Sequence, residues 1–342
     1  MIRLFSMLIG CGLIWSIYWA IGSAGMSAAI SDWIEDRRAE GWVAETLDIE
    51  TTGFPAKFDT VIRNLSLADP ETGLAWDAPS FELRAQSVRP WHIDAIWPAD
   101  QRFATPLARY EVASQDMQAV METRLQDNLA LERVSFAVSD LSIQKEMSVQ
   151  PLRAAMVELD AMRLPKTQTE TEAEAEARYQ IRLTADGFAP ALDWRTRIDP
   201  GGSLPETLDA LTADMTFAFD APWDLDAIEV ARPQPRALDV RLAEARWGRL
   251  ELQMAGSLDI DTGGQPTGEI TIKARNWREI LRLSVESGAL PARLSQTIED
   301  GLSLVAQLAG NPQTLDIPLT FRNGRVFLGP VPIGPAPIMR LR

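Results

Sequence analysis

The sequence predicts a mainly β chain with a few helices: an N-terminal transmembrane helix followed by an extended, coiled antiparallel sheet, with helices packed on it. Three observations predict it. No charged residue lies between Arg3 and Asp32, and residues 4–22 have the length that crosses a hydrocarbon core at about 1.5 Å per residue. From Thr46 onward, short runs alternate apolar and polar residues, the period of half-buried strands. These runs follow one another in series, separated by glycine, proline and Asn-Gly, which implies an antiparallel meander.

The span carries Leu4, Leu8, Leu13, Ile14 and Ile17 as lipid-facing residues, with Trp15, Tyr18 and Trp19 near its C-terminal end where an interfacial belt belongs. The N-terminus and Arg3 supply the nearby positive charge, so the orientation read is N-terminus in and bulk out: a single-pass inner-membrane protein with residues 32–342 in the periplasm. Two alternatives are open. Ser27-Ala28-Ala29 has the small residues of a signal-peptidase site, and Leu8-Ile9-Gly10-Cys11 has the letters of a lipoprotein box.

Helical spacing continues through Ile30, Trp33 and Ile34, with Gly41 as the stop. Strands are expected around Leu47 and Ile49, around Val61, Leu65 and Leu67, and at 80–88 and 91–96. Met117, Val120, Met121, Leu125 and Leu129 then predict a helix with Ser114 as its N-cap. Strands resume at 131–143, 153–162, 179–184, 210–219, 237–245, 249–261 and 268–273. Asn276 is expected to cap a helix carrying Trp277, Ile280, Leu281 and Val285 and ended by Gly288. A second helix carries Ile298, Leu302, Val305 and Leu308 before Gly310. Asn323-Gly324 predicts a type I′ hairpin, and the proline-rich end reads as an edge segment. Residues 1–24 are thus an anchor, 25–44 a juxtamembrane helix, 45–165 an N-terminal β-rich region, 166–178 an acidic linker and 179–342 a C-terminal β-rich region with two helices. Trp91-His92-Ile93-Asp94-Ala95-Ile96 and Trp223-Asp224-Leu225-Asp226-Ala227-Ile228 share four identities, read as two strands of similar patterning rather than a repeat.

The 342 residues carry 33 Lys plus Arg against 48 Asp plus Glu, a net charge of −15, the wrong sign for a nucleic-acid partner. One cysteine and one histidine exclude an intramolecular disulfide and a Cys/His zinc site within one chain. His92, with Asp94 two positions on, is the sole imidazole base, and no G-x-S-x-G elbow accompanies it. Asp259 and Asp261 share one strand face but read as solvated charges flanking a turn, without the spacing of a calcium loop. Phosphate-loop and dinucleotide fingerprints are absent. The expectation is no catalytic residue, no metal and no cofactor. The unusual signal is tryptophan, 11 against 3 Tyr. Trp76, Trp91, Trp97, Trp223 and Trp247 are the candidates for lining an apolar groove that suits acyl chains.

The anchor, Gly53-Phe54-Pro55, Trp76-Asp77-Ala78-Pro79 and the ending from Gly310 through Asn323-Gly324 to Leu328-Gly329-Pro330-Val331-Pro332-Ile333-Gly334 resemble an uncharacterised family of bacterial envelope proteins, domain-of-unknown-function family 2125. That family is more distantly similar to AsmA-like proteins, which implies a β-rich periplasmic part and phospholipid traffic, without catalytic residues to carry over. About 16–18 strands at about 4.8 Å make a sheet of only roughly 80 Å, short for spanning an envelope alone. The expected function is non-enzymatic: binding or sheltering lipid in envelope homeostasis, with phospholipid as partner. A periplasmic scaffold that recruits envelope proteins is the alternative.

Overall fold

The computed structural model describes residues 2–165, 176–288, 290–308 and 312–341. The chain is mainly β, with eighteen strands and five helices among the described residues, and every registered strand pair is antiparallel. It divides into two compact units, Met1–Thr123 with Phe136–Met147 and Arg124–Ser135 with Ser148–Arg342.

The first unit opens with α1 (Ile2–Ala39), one continuous helix. Arg37 and Arg38 in its last turn complement the negative end of the helix dipole, and Gly41 takes φ +93° where the chain turns away. The long strand β3 (Lys57–Asp69) pairs on one side with β1 (Val43–Glu45) and β2 (Asp48–Thr52), and on the other with β4 (Leu74–Gln86). Asn64 adopts φ +51° opposite Pro79, which has no N–H to donate, and the ladder breaks there between the Arg63–Ser80 and Leu65–Ala78 pairs. Beyond β4 the sheet forks. Residues 82–86 pair with β5 (Arg89–Ile96), whose far side takes β8 (Asp116–Arg124), while residues 75–77 pair with β6 (Asp100–Thr105). β6 continues to β7 (Ala108–Ala113), and β7 to residues 142–145 of β9 (Ala130–Lys145). Phe58, Ile62, Leu65, Ala78 and Ala85 alternate inward along β3 and β4 and are buried.

In the second unit nine strands form an uninterrupted meander: β10 (Leu152–Arg163), β11 (Ala177–Asp186), β12 (Ala210–Phe219), β13 (Pro235–Trp247), β14 (Leu250–Ile260), β15 (Pro266–Arg275), β16 (Thr314–Arg322), β17 (Arg325–Leu328) and β18 (Val331–Pro335). Asn323 and Gly324 take φ +50° and +68° between β16 and β17, the two positive angles a type I′ turn requires. α4 (Trp277–Glu286) and α5 (Ala292–Leu308) cover one end of the meander. There Trp277, Ala274, Leu315 and Ala306 form a buried cluster with Ile280, Leu281, Leu302 and Ile317 around it. Gly288 at φ +77° follows α4 as expected. The side chains of Val305 and Leu308, the stop expected at Gly310, and residues 166–175 of the acidic segment lie outside the described residues.

Four expectations are corrected. Residues 114–129 are not a helix: β8 ends at Arg124 and a turn follows, with Asn128 and Leu129 at positive φ. Met117, Met121, Leu125 and Leu129 recur every four residues, a spacing that serves a strand of period two as well as a helix, and the edge of β5 supplies the hydrogen-bond partners. Buried Ser114 caps nothing; its N–H bonds the Ala99 carbonyl. Asn276 precedes α4 in the left-handed region, and its side-chain amide donates to the Arg249 carbonyl instead of capping. The segments 91–96 and 223–228 are not two similar strands: the first lies in β5, whereas Asp224 caps the short helix α3 (Leu225–Glu229) through the Ala227 N–H. The hairpin of β6 and β7, and the short helix α2 (Leu192–Ile198), are additions that the patterning did not predict.

Candidate membrane-contact site

By length and composition residues Ile9–Ala39 are compatible with a membrane span, and among the described residues none buries their most apolar window. Leu13, Ile14 and Ile17 are exposed, as are Met7, Ile9 and Ile21; the side chains of Leu4 and Leu8 lie outside the described ones. Trp15, Tyr18 and Trp19, one helical turn of residues, are tied to the sheet. The Trp15 indole N–H donates to the Pro55 carbonyl at 2.9 Å, the Trp19 indole N–H to the Lys57 carbonyl at 2.7 Å, and the Tyr18 hydroxyl to the Ser87 carbonyl at 2.5 Å. Three donors from one turn of the helix thus meet carbonyls at the ends of two neighbouring hairpin loops.

Those loops hold each other. Gly53, at φ +101°, accepts from the N–H groups of Ala56 and Lys57 in a tight turn, and a Cβ there would stand 2.9 Å from the Lys57 carbonyl oxygen. The Ser87 N–H donates to the Ala56 carbonyl and the Ser87 hydroxyl to the Pro55 carbonyl, so Pro55 accepts from helix and neighbouring loop together. Rings fill the junction: Trp19 lies edge-on to Phe54 at 5.4 Å and stacks near Phe58 at 6.1 Å, while Tyr18 approaches Phe58 at 6.4 Å. Further along α1, Ser27, Thr51 and buried Thr60 form a chain of hydroxyl hydrogen bonds at 2.8 Å each. The contacts that Phe54, Pro55, Lys57, Phe58 and Ser87 make with the helix escaped sequence reasoning because the partners lie 35 to 69 residues apart along the chain.

Of the five tryptophans expected to line one groove, Trp76 and Trp97 share one ring cluster in the first unit, and Trp223 and Trp247 belong to different clusters of the second. Trp76 donates to Gln101 Oε1 and heads a chain of rings through Phe81, Trp97 and Phe136. Trp91 is exposed on β5. Trp223 packs edge-on to Phe219 beside Tyr179, whose hydroxyl accepts from the Trp223 N–H; burial pushes that phenol up from its ordinary value. Trp247 is buried, stacks on Trp194 and donates to the Pro205 carbonyl. An open cleft of about 780 Å³ in the first unit is crossed by a row of polar register partners, Ser66, Asp77, Arg102, Glu111 and Gln144, with Leu65, Ala78 and Val112 among the apolar residues beside them.

His92, about a third exposed, faces its cross-strand partner Glu122, with Nδ1 at 3.3 Å from the carboxylate and Nε2 at 3.7 Å from Asp94. The Asp261 carboxylate accepts from the Gly263 and Gln265 N–H groups of the turn after β14.

Over residues 19–337 the sequence matches the family described as "Uncharacterized protein conserved in bacteria (DUF2125)". The chain belongs to this family. The DUF2125 match begins at Trp19, inside α1, and takes in both loops of the junction and all eighteen strands. No curated protein and no solved structure matches the chain.

Proposed function

We propose that this DUF2125 chain is a non-enzymatic, single-pass inner-membrane protein, its N-terminus cytoplasmic and its strands periplasmic, that binds or shelters phospholipid at the outer face of that membrane. The observation that carries the reading is the junction itself. An apolar helix compatible with a membrane anchor is fastened at Trp15, Tyr18 and Trp19 to the two loops that end the first unit's sheet, which keeps that sheet beside the bilayer. The scaffold alternative has less support at the end of the meander: β18, registered against β17 among the described residues, carries Pro332 and Pro335, which cannot donate to an added strand.

The test uses the full chain in inner-membrane vesicles and spheroplasts. Resistance to alkaline carbonate, digestion of the β units by protease added outside spheroplasts, and labelling of the strands by phosphatidylethanolamine with a photoactivatable acyl chain are expected. Release by carbonate, or protection from external protease, overturns the topology; absence of lipid labelling in a carbonate-resistant protein overturns the lipid reading alone.

A further inference from the structure

We infer that the tips of the 53–57 and 86–89 loops are a second membrane contact, reaching through the headgroup layer to the acyl boundary of the leaflet at the outer end of α1 and binding anionic phospholipid there. The inference rests on α1 being a membrane anchor and adds where the sheet meets the lipid. Depth follows from helix arithmetic. A span needs about 17–25 residues at about 1.5 Å each. With Arg3 outside the hydrocarbon, the shortest such span starting at Leu4 ends at about residue 20 and longer ones end later. The helix residues that hold the two loops are 15, 18 and 19, inside the far boundary of every one of these spans. The loop carbonyls bonded to them share that depth, so the tips cannot stand clear of the bilayer while α1 crosses it.

The chemistry of the tips matches that depth. Phe54 and Val88 are both more than half exposed, and Pro55 and Ala56 are exposed beside them. In a chain of net charge −15, residues 53–58 and 85–93 contain no carboxylate, and their charged residues are the exposed cations Lys57 and Arg89. Apolar tips flanked by cations are what a headgroup layer accepts: the side chains of Phe54 and Val88 reach toward the acyl boundary, and the ammonium and guanidinium meet phosphates. An acidic protein partner would meet the same two cations, but it has no reason to sit at the depth of Trp15 and Trp19.

The test is spin-label accessibility on the full chain, with Cys11→Ser as background, in vesicles of phosphatidylethanolamine and phosphatidylglycerol. Single labels go on Val88→Cys and Ala56→Cys, exposed positions outside the ring cluster, and on Leu107→Cys as a control at a sheet end that the junction does not hold. Labels at 56 and 88 are expected to be reached by oxygen and shielded from a water-soluble nickel chelate, at least fivefold relative to 107. Equal chelate access at all three positions in a carbonate-resistant protein overturns the inference and leaves the anchor standing. Release of the protein by carbonate overturns both. Photolabelling of the chain by phosphatidylglycerol with a photoactivatable acyl chain is expected to fall at least threefold in the Lys57→Glu, Arg89→Glu double variant while shielding at 56 and 88 is kept; unchanged labelling overturns the anionic-lipid part.

Discussion

Gly22 of α1 lies so close to Phe58 of β3 that a Cβ at position 22 would stand 2.6 Å from Phe58 Cζ. Glycine inside a helix costs about 0.5–1 kcal/mol relative to alanine, and here it admits a ring that is 3% exposed. Phe58 has little room to move because Tyr18 and Trp19 lie on it. Gly22→Leu is therefore expected to push helix and sheet apart at a cost of about 1–3 kcal/mol. Tryptic cleavage at Lys57 in membranes should quicken while carbonate resistance is retained. An unchanged cleavage rate would show that the contact does not hold the loop.

The indole donors make a separable contribution. Trp15→Phe and Trp19→Phe keep most of the ring area and remove the N–H groups that bond Pro55 and Lys57, so each should cost about 1 kcal/mol in thermal unfolding of the detergent-solubilised protein. Trp15 and Ser87 both donate to the Pro55 carbonyl, so Trp15→Phe and Ser87→Ala should couple. Strict additivity would mean that the two bonds act independently.

What the sequence shows of this junction is one half of it. The uncharged stretch after Arg3 and the aromatic turn at 15–19 mark a helix compatible with a membrane span, and period-two runs mark most strands. Local pattern does not reveal that Trp15, Tyr18 and Trp19 spend their polar groups on loops 38 to 69 residues away, because tertiary hydrogen bonds leave no periodic trace. The same limit explains the hairpin of β6 and β7. Its turn is Pro106-Leu107, without the Asn-Gly signal that made β16 and β17 legible. It also explains the helix expected at 117–129, where a four-residue recurrence fits either period and only pairing with β5 decides. The tryptophans were visible as a count, but their distribution among separate clusters is set by strand order.

His92 tests the non-enzymatic reading. Its ring faces Glu122 across a strand pair, an arrangement that solvated cross-strand partners adopt without catalysis. A deletion strain carrying His92→Ala is expected to be complemented fully. Failed complementation at normal protein level would assign the imidazole a chemical role.

Asp199, 2% exposed after α2, gives a pH-dependent prediction. Burial pushes its carboxyl up, but the backbone N–H groups of Leu204 and Ser203, the Ser203 hydroxyl and nearby Arg282 pull it down further, so the net position is below the ordinary aspartate value. The folded state thus binds fewer protons than the unfolded state near the ordinary aspartate pKa of about 3.9. Its stabilisation is complete above that value and is lost as pH falls through the lower, folded one. Asp199→Asn is expected to destabilise the second unit by about 1–3 kcal/mol at pH 7, with the gap to wild type closing below about pH 4. A gap that stays constant down to pH 3 would mean that the charge contributes nothing.

Gly256 and Gly268 sit diagonally across the ladder of β14 and β15, opposite Ile270 and Leu258. Both take φ values, +144° and +142°, that side chains rarely adopt, and a Cβ would stand 2.2 Å from the Glu269 carbonyl oxygen at one and 2.3 Å from the Ser257 carbonyl oxygen at the other. These atoms are backbone inside a sheet, so they cannot yield as a flexible side chain can. The strands around them carry the buried cluster of Val240, Leu258 and Ile270, on which Met339 also packs. Gly256→Ala or Gly268→Ala should each cost more than about 3 kcal/mol, more than Gly22→Leu and without any change at the membrane junction. Denaturant midpoints of the full chain in detergent, read beside tryptic cleavage at Lys57, separate the two effects. The midpoint should fall sharply while the rate of Lys57 cleavage under native conditions stays that of wild type. Normal midpoints for both alanine variants would show that the ladder tolerates a side chain where the backbone leaves no room for one.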